Sequence, residues 1–282
     1  MHKMNLNNEP FQMIKDNTKT IELRLNDEKR SKIKTGDYIL FINTKDKSKM
    51  IVEVLKISKF ENFEELYKKL PLDKCGYKEE EIEYAKAADM NDYYSTEQQA
   101  KYGVLGIHIK RVEIKEMIKL EDMRKEHYEG KGYVHYQSWN ETYTGIMNQE
   151  FLDKRSLEKC ILIAEKYPVN TIVATLNNNV LGFAAFNQSS DNLELTGEIY
   201  AIYILEDYQN FGIGKMLLNE CFKRLKEYKN IVLYVLEGNE KAINWYIKQG
   251  FYFDEKVKIE ETSVKGYNLV ELRMKYDLEK KA

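Results

Sequence analysis

The chain is predicted to fold as two domains, a small strand-rich one followed by a larger one that mixes helices and strands. Three observations lead there. The 282 residues exceed the usual span of a single domain. Strand-like alternation dominates residues 38–57, and helical spacing takes over after Phe60. From Lys125 onward, helical and strand patterns take turns as far as Tyr276. With 43% hydrophobic and 12% aromatic residues there is apolar surface for real cores, which excludes wholesale disorder and fibrous repeats.

In order along the chain, residues 38–42 and 50–57 read as two strands joined by a polar hairpin loop over 43–49. Phe63, Leu66, Tyr67 and Leu70 fall at helical spacing, residues 79–88 read as a second short, charged helix, and 104–109 return to strand. A boundary near residues 113–117 gives domains at 1–113 and 114–282, although no Pro/Gly/Ser-rich linker marks it. Beyond it, helices are predicted over 125–143 and 157–167, the second ending before Pro168. Strands follow at 170–176, 180–187 and 198–205, then a helix at 212–228, a strand at 231–236, a helix at 240–249 and closing strands at 251–261 and 267–276.

Charge and cysteine usage narrow the function classes. The formal net charge is -2, which argues against a protein that coats nucleic acid or anionic membrane. Local asymmetry remains, since residues 15–59 carry 12 Lys/Arg against 7 Asp/Glu and residues 60–100 carry 5 against 11. No apolar run reaches membrane-spanning length, and the opening residues lack the apolar stretch of a secretory signal, so a cytoplasmic location is expected. Cys75, Cys160 and Cys221 are odd in number and far apart, which excludes a disulfide framework or a cysteine-rich zinc site. No metal is expected.

The most informative stretch is Gln209, Asn210, Phe211, Gly212, Ile213, Gly214, Lys215, between a predicted strand and an amphipathic helix. Ile213, Leu217, Leu218, Cys221, Phe222 and Leu225 place one face of that helix against a sheet. Backbone N–H groups at a helix start lack intrahelical acceptors, and glycines let a pyrophosphate approach them. Two readings stand, a phosphate cradle to which Lys215 adds a cation, or an ordinary glycine-bearing loop. The Walker A and Rossmann spacings are not met.

Gln209, Gly212 and Gly214 match each fixed position of Q/R-x-x-G-x-G/A, and Leu233–Val235 followed by Asn239, Ala242, Tyr246, Gly250 and Phe251 looks like a second motif in the right order. Over roughly residues 114–282 the chain thereby resembles the GNAT superfamily of acetyl-CoA-dependent N-acetyltransferases. The resemblance implies an α/β fold whose mixed sheet is splayed at the strand ending near Leu205. It implies pantetheine bonded to Ile202 and Ile204, and pyrophosphate on Gln209, Asn210, Gly212, Gly214 and Lys215. Asn239 is open to two roles, a cap for the following helix and an amide contact to the pantetheine arm.

Acetyl transfer needs a neutral amine, an oxyanion partner and a proton for the leaving thiolate. Glu198 is the candidate acceptor of the ammonium proton, directly or through water, or else a strand-edge Glu facing solvent. Tyr246 matches the tyrosine thought to protonate the CoA sulfur in many family members, or else packs beside Trp245 and Phe251. The Ile202 N–H is the expected oxyanion donor. Trp139, Glu141 and Tyr143, with Glu198, Tyr200 and Tyr203, are candidates for an aromatic, acidic mouth suited to a primary amine, although a Trp and Tyr four apart on a helix are more often core.

Lys19, Thr20, Glu22 and Arg24 ahead of Gly36 and Asp37, with a closing strand after Gly103, resemble the ASCH domain, a small PUA-like β-barrel, over roughly residues 4–113. The resemblance implies a cleft that takes RNA or a nucleotide, or recognises a substrate or partner. In the relatives that hydrolyse an acetylated nucleobase a Thr stands where Glu22 is here. Lys19 and Arg24 are read either as phosphate ligands or as an internal network with Glu22 that closes the barrel.

Overall fold

The structure is a computed structural model and describes residues 1–191 and 193–278; residues 279–282 of the expected second domain lie outside it. It separates into two compact units, Met1–Ile114 and Lys115–Ala282.

The first unit runs β1 (His2–Leu6), α1 (Asn8–Lys15), β2 (Ile21–Leu25), β3 (Tyr38–Asn43), β4 (Lys49–Phe60), α2 (Phe63–Lys69), α3 (Leu72–Cys75), α4 (Thr96–Tyr102) and β5 (Val104–Arg111). Its sheet has the order β1-β3-β4-β5-β2, with β1 parallel to β3 and the other pairs antiparallel. Alternation in β3 and β4 puts Ile39, Phe41, Val52 and Val54 into one core with Phe11 and Ile14 of α1. The ladder stops at β1 and β2, so the expected barrel is a half-barrel. Across the open side, the Arg24 guanidinium on β2 donates to the Asn5 carbonyl on β1 at 3.0 Å. The helix expected at 79–88 is instead two short 3-10 segments, Glu79–Tyr84 and Ala87–Asp92. Glu79, Glu80, Glu81 and Glu83 crowd like charges at the spacings that meet on an α-helix face, which disfavours that helix.

The second unit runs β6 (Lys119–Asp122), α5 (Tyr128–Tyr143), α6 (Gln149–Asp153), α7 (Leu157–Lys166), β7 (Thr171–Leu176), β8 (Asn179–Gln188), β9 (Thr196–Ile204), α8 (Ile213–Arg224), β10 (Asn230–Leu236), α9 (Glu240–Gln249), β11 (Tyr252–Glu261) and β12 (Asn268–Asp277). The seven strands lie in the order β11-β12-β10-β9-β8-β7-β6. Only β9 and β10 pair in parallel, which is why the helix α8 connects them. Their register covers Thr196–Ile199 against Asn230–Leu233 and then ends, although β9 stays paired with β8 as far as Ile204. The sheet is split from Tyr200 onward. A register shift opposite Ala185 and Phe186 leaves Tyr200 as the extra residue of a bulge where the split begins.

Helix α5 lies close on its neighbours because two of its residues lack side chains. A Cβ at Gly132 would stand 2.5 Å from Ile161 Cγ1 and 2.8 Å from Ile161 Cα on α7, and one at Gly130 would stand 2.8 Å from Val180 Cγ2 on β8. Backbone at that range cannot swing aside. Gly132→Ala is therefore expected to destabilise this unit by about 2 kcal/mol. Both tryptophans of the chain, Trp139 and Trp245, belong to the second unit, so denaturant unfolding followed by tryptophan fluorescence reads it; an unchanged midpoint would refute the tight helix contact.

Candidate active site

The split in the sheet opens onto a cavity of about 530 Å³ lined from α5, β9, the loop before α8, β10 and α9. Strand β9 supplies its backbone. The Leu205 N–H donates to Leu181 O at 3.0 Å, toward β8. Alternate residues of a strand face opposite edges, so the N–H and C=O of Ile202 and Ile204 face the opened edge. Gln209 Nε2 donates to Ile204 O at 3.0 Å on that side.

The glycine loop follows directly. Asn210 (φ 71) and Gly212 (φ 83) both take the left-handed conformation, and Gly212 is the residue before the first turn of α8. The Met216 N–H is the first to reach back into the helix, to Gly212 O at 3.1 Å. The N–H groups of Ile213, Gly214 and Lys215 thus have no acceptor in the helix. A side chain at Gly214 would crowd Ile204 Cδ1 and Trp245 Cζ2 at 3.2 Å each, so glycine keeps the floor of the cradle clear. Lys215 is exposed beside these amides. Lys241 Nζ donates to Gln209 Oε1 at 2.6 Å, adding a cation that the sequence reading did not single out. Buried Ile213, Leu217, Leu218 and Cys221 anchor the helix against the sheet. The residues present fit a pyrophosphate-bearing ligand with an extended amide-containing arm.

Asn239 caps α9, its side-chain oxygen accepting from the Ala242 N–H at 3.2 Å. Tyr143 and Tyr203 place their hydroxyls 3.3 Å apart on the cavity wall. Tyr246 lines the same cavity against Trp245 and Phe251 and makes no hydrogen bond to the described residues. Burial raises all three phenols above the usual tyrosine range, so each is a neutral proton donor near pH 7. Tyr200 also lines the cavity, and its hydroxyl donates to Gln188 O at 2.9 Å.

Three expected members of an acidic mouth stand elsewhere. Glu198 is buried, and one of its oxygens accepts both the Ser190 N–H and the Ser190 hydroxyl at 2.9 Å. Glu141 accepts the Glu206 N–H at 2.9 Å and the Gln137 amide at 2.9 Å. Trp139 packs against Tyr143, ring centroids 4.7 Å apart, under the Arg155 guanidinium. None of the three lines the cavity, and among the described residues no Asp or Glu does. The mouth is aromatic rather than acidic, because its carboxylates fold back onto backbone and side-chain donors.

One carboxylate does reach the lining indirectly. Asp191 accepts the Tyr234 phenol at 2.6 Å, pairs with Arg273 at 2.6 Å and with Lys256 at 2.8 Å, while Arg273 also grips Asp254. Tyr234 is a lining residue. Burial works to raise the Asp191 carboxyl, but hydrogen bonds from Lys256, Tyr234 and Arg273 outweigh it and bring the group down to about 2.

In the first unit Glu22 is buried between Arg24 Nε at 2.9 Å and Lys19 Nζ at 3.4 Å. Lys19 also donates to the Cys75 carbonyl, and Arg24 to the Tyr94 hydroxyl at 3.3 Å. Thr20 is held through its backbone, N–H to Lys74 O at 2.9 Å. Lys19 and Arg24 are thus engaged inside the fold, the internal-network alternative rather than free phosphate ligands.

A split mixed sheet with a glycine-cradled helix start at the split defines an acetyl-CoA-type acyltransferase fold, and comparison with known proteins agrees. Residues 125–251 match the acetyltransferase (GNAT) family, and residues 4–113 match the ASCH domain. Spermidine N(1)-acetyltransferase of Thermoplasma acidophilum is 31% identical over 137 residues, 45% of this chain and 79% of that protein. An uncharacterized N-acetyltransferase of Bacillus subtilis, YuaI, is 25% identical over 164 residues, 55% of this chain and 91% of that protein. The crystal structure of the PaiA N-acetyltransferase from Thermoplasma acidophilum with coenzyme A covers 57% of this chain and 98% of its own, at 23% identity and a TM-score of 0.43. The chain belongs to the GNAT N-acetyltransferase family and carries an N-terminal ASCH domain.

The Asp191 cluster fixes a pH dependence. Because its carboxyl lies lower folded than unfolded, its stabilisation is complete above the unfolded value of about 3.9 and is lost as pH falls through about 2. Asp191→Asn is expected to cost about 2 kcal/mol at pH 7 and to flatten the acid limb of the stability curve between about pH 4 and 2. Unfolding of both proteins across that range checks it; parallel curves would remove Asp191 from the account.

Proposed function

We propose that the C-terminal unit transfers acetyl from acetyl-CoA to a primary amine by direct attack, and that the N-terminal ASCH unit recognises the substrate or a partner. The observation that carries the reading is the opened edge of β9 running straight into the glycine-started helix. Acetyl-CoA supplies an activated acyl group whose carbonyl carbon accepts the amine nitrogen as the bond to sulfur breaks. The N–H and C=O of Ile202 and Ile204 align the pantetheine amides, and the Ile202 N–H meets the acetyl oxygen. Gln209, Asn210, Gly212, Gly214 and Lys215 receive the pyrophosphate, with Lys241 alongside. Asn239 caps α9 and contacts the arm.

Tyr246 delivers its phenolic proton to the departing sulfur, a role favoured by its neutrality and its lack of a competing hydrogen bond. The proton lost by the acceptor ammonium travels through water to Glu198, since that carboxylate is off the lining and cannot touch the amine. Trp139 and Glu141 act at one remove, by fixing Tyr143 and the turn at Glu206. Tyr143 and Tyr200 form the acceptor wall. An RNA acceptor or an RNA-binding role for the ASCH unit would need cations other than Lys19 and Arg24, and salt-dependent RNA binding by the full chain tests it.

Thermal unfolding with acetyl-CoA tests the core of the reading. Ligand at about 100 times its Kd should add roughly 2.7 kcal/mol of stability, and Gly212→Val should abolish the gain. A wild-type protein indifferent to millimolar acetyl-CoA would sink the proposal. With an amine acceptor in hand, Tyr246→Phe is expected to lower kcat by about 100-fold while leaving the acetyl-CoA Kd unchanged. An undiminished kcat would return Tyr246 to a packing role.

A further inference from the structure

Behind the Tyr143 and Tyr203 wall lies a cluster of polar groups that neither bind the cofactor nor exchange a proton in the proposed transfer. Lys131, His135 and Trp139 follow one another at four-residue spacing on α5, so they share one face of the helix. Arg155, just before α7, stacks its guanidinium 3.6 Å over the Trp139 ring. Lys131 is 5% exposed, and its ammonium sits 4.5 Å over the Phe183 ring. Neither cation has a carboxylate partner among the described residues. Lys131 thus buries a charge without a counter-charge, among the most costly arrangements a fold can hold, with half-buried Arg155 beside it.

The hydrogen-bond directions make the imbalance one-sided. Arg155 Nη1 stands 3.0 Å from His135 Nε2. A guanidinium can only donate, so His135 Nε2 is the acceptor and the ring hydrogen is on Nδ1. The ring is neutral: burial and then the charges of Arg155 and Lys131 push its pKa down to about 3. Among the described residues His135 Nδ1 is buried without a hydrogen-bond partner, as are Trp139 Nε1 and Ser138 Oγ. Nδ1 and Nε1 are donors only, and the serine hydroxyl can turn to donate. The Cys160 sulfur, 3.8 Å from Arg155, is a weak acceptor. Two cations and three polar groups without a hydrogen-bond partner among the described residues thus gather around one stretch of α5, with no carboxylate paired to either cation.

We infer that this cluster, between α5, the start of α7 and the β8–β9 surface, is a binding site for a small monovalent anion of the halide or carboxylate class. Such an ion is acceptor-only, carries the missing charge and is small enough to enter a tightly packed interior. Ser138 also lines the acetyl-CoA cavity, which gives the site a route to solvent.

Lys131→Met tests this with a sign that a packing role would reverse. Thermal unfolding of the full chain would be followed in buffer free of halide and carboxylate, then along separate series of sodium chloride and sodium formate. The wild type is expected to gain saturably, on the order of 5 °C in at least one series. Lys131→Met should start above the wild type, because an uncompensated charge has been removed, and should lack the saturable gain. Arg155→Met is measured alongside as the second variant. A response to formate alone assigns a carboxylate, to chloride alone a halide, and to both a site that reads charge and size. Parallel salt curves for wild type and variants would overturn the inference, as would a Lys131→Met protein less stable than the wild type without anion.

Discussion

The second unit depends on the place where β9 stops pairing with β10. A parallel pair gives up its ladder after Ile199, while β9 keeps its antiparallel partner β8 for five more residues. That leaves one edge of a central strand with main-chain donors and acceptors and no paired strand, only Gln209 reaching Ile204 O from the loop, an arrangement that a fold tolerates only where something else satisfies the rest. The bulge at Tyr200 sits at the start of the gap, and the glycine loop sits at its end. A ligand that offers amide groups along its length and phosphates at its tail answers both features with one molecule. The rest of the unit follows from holding that gap open: α8 is clamped beneath by Leu217 and Leu218, and α5 covers the other side.

The parts of this arrangement legible in the sequence are those set by local pattern. Gly212 takes a conformation that favours glycine and Gly214 leaves little room for a side chain, and their spacing from Gln209 survived as a readable motif. The amphipathic face of α8 and the alternation in β3 and β4 were equally local. What escaped was long-range. Strand β1 is five residues with two buried side chains, Met4 and Leu6, too little for a pattern, and it exists because it adds to β3. The acidic mouth failed for the same reason in reverse: Glu141 and Glu198 have the right residue type in the right region, but Glu206 and Ser190 engage them. The Asp191–Arg273 pair spans 82 positions and left no trace in either segment.

Among the described residues, buried and half-buried charge is handled differently in three places. In the ASCH unit, Glu22 is flanked by Lys19 and Arg24, and Arg24 also ties β2 to β1, so the ion cluster does the work that a closing ladder would do in a full barrel. At the edge of the cavity in the split sheet, Asp191 is held by Arg273 and Lys256 and in turn fixes the Tyr234 phenol, so charge is used to orient a lining side chain.

Behind the cavity, Lys131 and Arg155 have aromatic faces in place of carboxylates. Phe183 and Trp139 present negative ring faces to these cations, but such contacts return only about 0.5–2 kcal/mol each. The desolvation cost of a buried ammonium is several kcal/mol. The shortfall is visible in Lys131 itself, where burial first of all, and the neighbouring Arg155, bring the amine down to about 8 against the opposing pull of Cys160. Lys131 and Arg155 are thus held by ring faces in place of counter-charge, on the same helix that brings Ser138 and Tyr143 to the cavity wall.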